Sequence, residues 1–516
     1  MKTRGFLKAP LFRTLRTKQF PKRFFWVMMK FRAKKEIVNI LIRLRELLAQ
    51  RSVEGYLTGG FVRDALMGRA SGDIDVVIEA KAMELAREVA KDLAGKFVPL
   101  DQANEIARVV LPGESPIHLD FASMRGSIEE DLAQRDFTID AIALNLREIA
   151  DPGAPLLDPF GGRRDLEEGV VRAISEEAFQ RDPVRLLRAI RLAAEFGFSI
   201  DSETRTQIER HHQLITHVAS ERVRDEFYRL LAALKAAKWL RLLDELGLLL
   251  AILPELSPAK GAIQPKEHFW DVFEHSIETV AAIEFLLRIE RSECWGDEIL
   301  AFVPWSPSLE EHFAAEVAGG HDRKTLLKLA GLLHDIAKPQ TRSIDEKGRM
   351  RFFGHAREGA SISGGILTRL RFSARERDMV EKMIEHHLRP GQMGEEMPSH
   401  RAIYRYFRDT GDVGIDTIFL NLADHLATRG PDLELKEWQG HAQSLSYVLE
   451  EHLREESIVL PPKLISGHDL IDIFGMRPGR DIGELLEAVR EAQAAGEVAT
   501  REEALRLVQK RLSTLT

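Results

Sequence analysis

Two aspartates separated by one residue inside an apolar run, Asp73 and Asp75 in "DIDVVI", are the first feature of this sequence equipped for chemistry. In a strand, alternate side chains share a face, so both carboxylates point the same way while Ile74 packs behind them. Carboxylates this close repel unless a cation bridges them. Mg²⁺ suits such a partial site, taking one or two carboxylates and completing its shell with water and phosphate oxygens. Just upstream, "YLTGGFVRDAL" sets Gly59 and Gly60 at the start of an expected helix. Glycines there let backbone N–H groups and the helix N-terminus approach a triphosphate, with Arg63, in the first turn, in reach of phosphate or sugar. The combined chemistry is metal-assisted nucleotidyl transfer, in which a 3′-hydroxyl is activated and pyrophosphate leaves. Taken alone, an Asp-x-Asp is most often a turn, a cap or a solvated edge; the surrounding glycines and "VVI" run set this one apart.

A second set of ligand-type residues lies further along: His275 in "VFEHSIETV", His334-Asp335 closing "LLKLAGLLHDIAKP", His355 in "FGHAREGA", His386-His387 in "IEHHLRP" and Asp424 in "NLADHLA". Singly, each is more often a packed or solvated residue. Imidazoles and carboxylates spread over several helices are also how helical cores bind a divalent transition metal.

The elements that must carry these residues change character along the chain. Ile37, Leu41, Leu44 and Leu48 have helical spacing. From Tyr56 to about Leu146, short apolar runs ("DIDVVI", "ARVVLP", "IHLDFA", "AIALNL") alternate with the helical stretch "KAMELAREVAKDLAG", the pattern of a small α/β domain. Beyond "LLDPFGG", Leu, Ala, Arg and Glu recur with helical periodicity almost to the end. "PELSPAKGAIQP" marks a boundary, "WGDEILAFVPWSPSLEEH" reads as a long loop or insertion, and further boundaries are expected near "TRGPDLEL" and "IVLPPKLISG".

The 516 residues suggest three or four domains, and 44% hydrophobic with 30% charged residues is ordinary for a soluble globular chain. A net charge of −8 confines any nucleic-acid surface to local patches. The lone Cys294 excludes an intramolecular disulfide and a zinc ribbon, and fits a reducing cytoplasm. The longest apolar run, "LGLLLAIL", is far shorter than the roughly 18 residues of a membrane span. Residues 1–35 hold twelve Lys/Arg and no acid. They read as a basic arm or as translation ahead of the true start, with a transit peptide as the third option.

The motifs around the aspartate pair resemble the class II tRNA nucleotidyltransferases, the bacterial CCA-adding and poly(A)-polymerase family. Besides the Gly-Gly and Asp-x-Asp block, four stretches match in family order: "SIEEDLAQRDFTIDAIALNL", "LLDPFGGRRDLEEGVVRAI", "FQRDPVRLLRAIRLAAEFGF" and "SERVRDEFYRLL". The resemblance implies that Arg135 and Asp136 contact ribose and triphosphate, and that Asp182 with Arg185 reads the base of CTP or ATP. Arg188 and Arg191 are left between a solvated helix face and tRNA-backbone contact. Asp120, in "IHLDFA", is the expected third acid. Where the family usually has Glu before Asp182, this chain has Arg181, which puts a supporting salt link in doubt. The order H…HD…H…HH…D resembles the HD-domain phosphohydrolases, and implies a metal at His275, His334, Asp335, His355, His386, His387 and Asp424. His468-Asp469 belongs to the family's helical tail and is not a second metal doublet.

The implied fold is an α+β polymerase-β-like nucleotidyltransferase head followed by mostly α-helical neck, HD and tail domains. The expected division is 1–34 basic arm, 35–150 head, 151–260 neck, 261–432 HD domain and 433–516 tail. The implied activity is Mg²⁺-dependent, template-independent addition of nucleotides from CTP and ATP to the 3′ end of tRNA, completing CCA, with phosphohydrolysis in the HD domain and no membrane partner. Only "SMRGSI" separates "LDFA" from "EEDL", where CCA-adding relatives carry a loop of a dozen or more residues. Its lack is associated in the family with addition of C-C alone, so CC addition is the alternative. Poly(A) synthesis, a predominantly HD phosphohydrolase with a nucleotide-sensing head, and a non-catalytic RNA-binding protein are the remaining readings.

Overall fold

The computed structural model describes residues 35–113, 116–149, 151, 153–292, 294–393, 397–454 and 462–515. The basic arm expected at 1–34 lies outside the described residues. Two compact units emerge: one holds the chain up to Arg181 together with Phe198–Gln207, the other Asp182–Gly197 with Ile208–Thr516.

The first unit is built on a seven-stranded sheet. Its elements are α1 (Lys35–Gln50), β1 (Gly55–Thr58), α2 (Gly59–Leu66), β2 (Asp73–Ile78), α3 (Ala82–Asp92), β3 (Lys96–Asp101), β4 (Ile106–Leu111), β5 (Ile117–Ser123), α4 (Ile128–Leu132), β6 (Ala143–Asn145), β7 (Leu156–Leu157) and α5 (Gly162–Glu168). The strand order is β3-β4-β5-β2-β1-β6-β7; β2 and β5 run parallel and every other neighbouring pair antiparallel. The amphipathic α1 buries Ile37, Val38, Leu41, Leu44 and Leu48, and α3 buries Met83, Leu85, Ala86 and Val89, in one core with Ile74, Val76, Leu119, Phe121 and Val109 of the sheet. Area removal from water at about 25 cal/mol per Å² makes this face the main stabiliser of the head. A capping box opens α4: the Ser127 hydroxyl accepts from the N–H of Glu130, whose side chain accepts from the N–H of Ser127.

The second unit is helical. The helices that matter for the site are α6 (Val184–Phe196), α7 (Ser220–Ala232), α8 (Ala236–Glu245), α9 (Val272–Leu286), α10 (Arg323–Leu333), α11 (His355–Arg369), α12 (Ala374–His386), α13 (His400–Thr410), α14 (Gly414–Arg429), α15 (Leu435–Arg454), α16 (Gly467–Phe474), α17 (Arg480–Ala494) and α18 (Arg501–Leu515). Gly197, at φ 70°, ends α6 in a left-handed turn that favours glycine. The stretch expected as a loop at 295–312 contains two short helices, Asp297–Leu300 and Pro307–Ala314. Ser306 caps the second, accepting from the N–H of Leu309, with Pro307 at its first turn. Leu470, Ile482, Leu485, Val489, Ala504 and Val508 form a separate small core in the tail. There, Asp469 serves the capping box of α16 with Ser466 and binds Arg501. Among the described residues, no helix is long and apolar enough to cross a membrane.

Candidate functional site

In the head, the sheet register lays a row of polar side chains across four strands. Thr58 of β1 pairs with Asp75 of β2, Asp75 with Asp120 of β5, and Asp120 with Arg108 of β4. On the opposite face Ile74, Leu119 and Val109 are fully buried. Arg108 spans the Asp120 carboxylate, Nε donating to Oδ1 and Nη2 to Oδ2, each at 2.7 Å. At the far end Arg135 Nη2 donates to Thr58 Oγ1 at 3.0 Å. Two acids therefore stand between two guanidinium groups. Burial pushes Asp75 up to about 6, against the pull of Arg135 and the N–H of Phe61, and the negative charges of Asp120 and Asp140 add to the rise. Asp73 projects from the sheet end, its Oδ1 2.8 Å from His118 Nδ1 of the neighbouring strand.

The turn into α2 is shaped to the same carboxylate. Gly59 sits at φ +62°, and a Cβ there would lie 2.8 Å from Asp75 Oδ2, so a side chain would be strained and would displace the acid. Gly60 faces the tip of Arg63. Arg63 itself donates to Asp140 Oδ1 at 2.6 Å and to Asp64 Oδ1 at 2.9 Å, which commits it to neighbouring acids. Asp136 is buried, and its Oδ1 accepts the N–H of Phe137 at 3.0 Å. Asp75 and Asp120, paired across β2 and β5 on the face that also carries Asp73, offer carboxylate donors of the kind a divalent ion takes, and the raised pKa of Asp75 is what such an ion would relieve.

In the second unit, Asp182 just ahead of α6 and Arg185 in its first turn lie 3.9 Å apart. A third residue joins them: Arg222 of α7 donates Nη1 and Nη2 to the two Asp182 oxygens at 2.9 and 2.8 Å. Arg188 and Arg191 share Glu226, which accepts Arg188 Nε at 3.0 Å on one oxygen and Arg191 Nε on the other. Arg191 is buried, so it is not part of a solvated helix face. Its charge is spent on holding α6 to α7.

The histidine constellation converges. His275 of α9, His334 and Asp335 at the end of α10, and Asp424 of α14 form one set of ligand atoms; Asp335, His355 of α11 and His387 at the end of α12 form another. Asp335 belongs to both. His275 Nε2 lies 3.2 Å from Asp335 Oδ2 and 3.1 Å from Asp424 Oδ1, and His355 Nε2 lies 3.4 Å from Asp335 Oδ1. His334, His355 and His387 each donate Nδ1–H to the carbonyl three residues back (Gly331, Phe352 and Ile384), which turns Nε2 of each toward the centre. Nε2 of His355 and His387 and Oδ1 of Asp335 are buried without a hydrogen-bond partner, as atoms awaiting a metal would be. Burial would lower the His334 pKa, but Asp335 and Asp424 overcome it and raise it to about 10. Burial, helped by His334, depresses His387 to about 4. His386 is half-buried and lies outside both sets, because adjacent helical residues point about 100° apart.

Comparison with known proteins follows this geometry. The family model described as Poly A polymerase head domain matches residues 55–172, the RNA and SrmB- binding site of polymerase A 197–260, the HD domain 272–429, and tRNA nucleotidyltransferase domain 2 433–508. The A-adding tRNA nucleotidyltransferase of Deinococcus radiodurans is 34% identical over 88% of this chain and 94% of its own length. The chain belongs to the class II tRNA nucleotidyltransferases that carry an HD domain. The CC-adding tRNA nucleotidyltransferase of Thermus thermophilus is 33% identical over 87% of this nucleotidyltransferase and 92% of its own length. A solved Thermotoga maritima CCA-adding enzyme in complex with tRNA matches with a TM-score of 0.62 and 22% identity, over 95% of this chain and 98% of that one. At that identity the likeness is one of fold.

Three residues of this nucleotidyltransferase's sites escaped the sequence reading. Arg108 and Arg222 become partners of Asp120 and Asp182 only through strand register and helix packing. Lys338 had a local signal, a cation one turn after Asp335. Its Nζ lies 2.5 Å from Asp335 Oδ2 and donates to Gln264 Oε1 at 2.8 Å, beside the candidate ligands.

Proposed function

We propose that this nucleotidyltransferase extends the 3′ end of tRNA from CTP, adding C-C and leaving the terminal A to another enzyme. The observation that carries the choice is the connection between β5 and α4. Only Met124–Ser127 joins them, where the family's CCA-adding members have a loop of a dozen or more residues. The relatives matching about nine-tenths of the chain are named A-adding or CC-adding, which agrees with a single-stage enzyme. A-addition from ATP is the second reading, because the A-adding relative is as similar as the CC-adding one.

In this reading Asp73 and Asp75, with Asp120, hold Mg²⁺, which when bound activates the primer hydroxyl and neutralises the leaving pyrophosphate. Gly59, Gly60 and the N-terminus of α2 receive the triphosphate. Arg135 faces it from the end of the acidic row, while Arg63 and the buried Asp136 fix the surrounding backbone. Asp182 and Arg185 offer acceptors and donors to the Watson–Crick edge of the base, oriented by Arg222. Arg188 supports them through Glu226. The two sets sharing Asp335 would hold divalent ions in a phosphohydrolase centre, and Lys338, paired with Asp335, would add a positive charge beside them. The functional divisions are a head at 35–150, a neck at 151–260, an HD domain at 261–432 and a tail at 433–516, working in the cytoplasm.

The test is incorporation of labelled CTP and ATP into tRNA ending at the discriminator base, at C and at C-C, with Asp73→Ala alongside. Addition of C alone, abolished in Asp73→Ala, is expected. Addition of A to the C-C substrate without any C addition selects the A-adding reading, and addition of both selects the complete CCA reading. Absence of incorporation on every substrate removes the proposal.

A further inference from the structure

Resting on the reading of the head as a metal-dependent transfer site, we propose that Arg108 is a positioning residue that competes with the metals for Asp120 and so sets how tightly the acidic row binds them. Arg108, Asp120 and Asp75 occupy directly paired positions on three adjacent strands, all on the face that carries Asp73. The guanidinium takes both Asp120 oxygens at 2.7 Å, the same oxygens that a third acid would offer to a metal or a primer hydroxyl. Its side chain is 34% exposed and that of Asp120 22%, so the pair opens on the working face of the sheet instead of forming part of the core. An ion entering the row therefore meets a fixed positive charge and a carboxylate already engaged in two bonds.

An ordinary cross-strand ion pair on a sheet surface would stabilise the strands and act on the ions only by keeping the site ordered. The two roles make opposite predictions. Losing a merely structural pair loosens the site and weakens metal binding. Losing a competitor strengthens it.

The experiment measures Mn²⁺ binding to the full-length protein by the loss of the free-ion electron paramagnetic resonance signal, in wild type, Arg108→Gln, Arg108→Lys and Asp75→Asn. The sites lost in Asp75→Asn are those of the head; the HD-domain sites remain and serve as an internal reference. Arg108→Gln is expected to tighten the head sites on the order of tenfold, since it removes a charge next to the bound ion. Arg108→Lys keeps the charge but cannot span both oxygens, and is expected to fall between the two. Unchanged or weaker head binding in both Arg108 variants overturns the inference. If Asp75→Asn loses no Mn²⁺ site at all, the metal reading of the head fails instead, whatever the Arg108 variants do.

Discussion

Arg222 of α7 holds Asp182, in the turn ahead of α6, by both carboxylate oxygens, although the two residues are 40 positions apart. Asp182 without this fork would be freer to rotate about its side-chain bonds, and the acceptor that the proposed function assigns to the base would lose its orientation. Arg222→Ala is expected to lower kcat/KM for the incoming nucleotide about 10- to 100-fold, from loss of a bidentate charge-assisted pair worth roughly 1.5–3 kcal/mol. Discrimination against UTP should fall with it, and Arg222→Lys should not restore it, because an ammonium cannot span both oxygens. Steady-state kinetics with CTP, ATP and UTP check this; unaltered selectivity in Arg222→Ala would remove Arg222 from base reading.

Sharing of Asp335 between two ligand sets gives unequal expectations for neighbouring substitutions. Asp335→Ala should empty both HD-domain sites, while His355→Ala should empty one. Metal analysis of purified full-length protein after equilibration with Mn²⁺ counts the ions. One ion retained at the centre in Asp335→Ala would show that the two sets are independent.

Lys328 of α10 is buried with its ammonium on Glu284 Oε1 at 2.8 Å and on the carbonyls of Leu231 and Ala233 at 2.9 and 3.3 Å. The second Glu284 oxygen accepts the N–H of Ala236 at 3.0 Å. Lys328→Met strands a buried carboxylate and should cost about 3–5 kcal/mol. The double variant Lys328→Met, Glu284→Gln removes the stranded charge and should recover much of the loss. Thermal unfolding of the three proteins provides the comparison, and a double variant no better than the single one would contradict the account.

Burial alone would raise Glu376, but His321, together with the side chain and N–H of Ser373, outweighs it and holds its carboxyl below the ordinary value. A carboxyl depressed in the folded state contributes stability above its unfolded pKa of about 4.5 and loses it as pH falls through the folded value. Glu376→Gln should therefore destabilise the start of α12 by about 1–2 kcal/mol at pH 7, with the difference from wild type shrinking below about pH 4. Amide hydrogen exchange at Arg377 and Asp378 reads this locally. A penalty that stays unchanged as the pH is taken from 7 to well below 4 would refute the charge-based explanation.

How much of this was legible in the sequence depends on how far apart the cooperating residues lie. Asp73 and Asp75 share a face because strand alternation is local, and the Gly59 turn follows the same logic. The edge strand β3 was not read, because its "KFVPLD" alternates weakly on the exposed rim of the sheet and includes a proline. Arg108 facing Asp120 requires the register of β4 against β5, which neither strand states by itself. At His386-His387 the sequence offered two ligands, whereas helix geometry turns only one inward, and which one depends on how α12 packs. The two short helices in the expected loop had a local signal after all, Ser306 followed by Pro307, masked by the prolines around them.

The imidazoles of His334 and His387 have a second effect on the protein. Each follows the last residue of its helix, α10 or α12, and its Nδ1–H goes to a carbonyl of the last turn, that of Gly331 or of Ile384, the latter also accepting the N–H of His387 at 3.4 Å. Both rings are thus C-terminal caps as well as proposed metal ligands. Whatever occupies Nε2 pulls on a ring whose other edge is fastening the end of a helix, so filling the centre also tightens the last turns of α10 and α12, and emptying it leaves those turns freer to fray. Cofactor occupancy and helix length would in this way be a single thermodynamic variable.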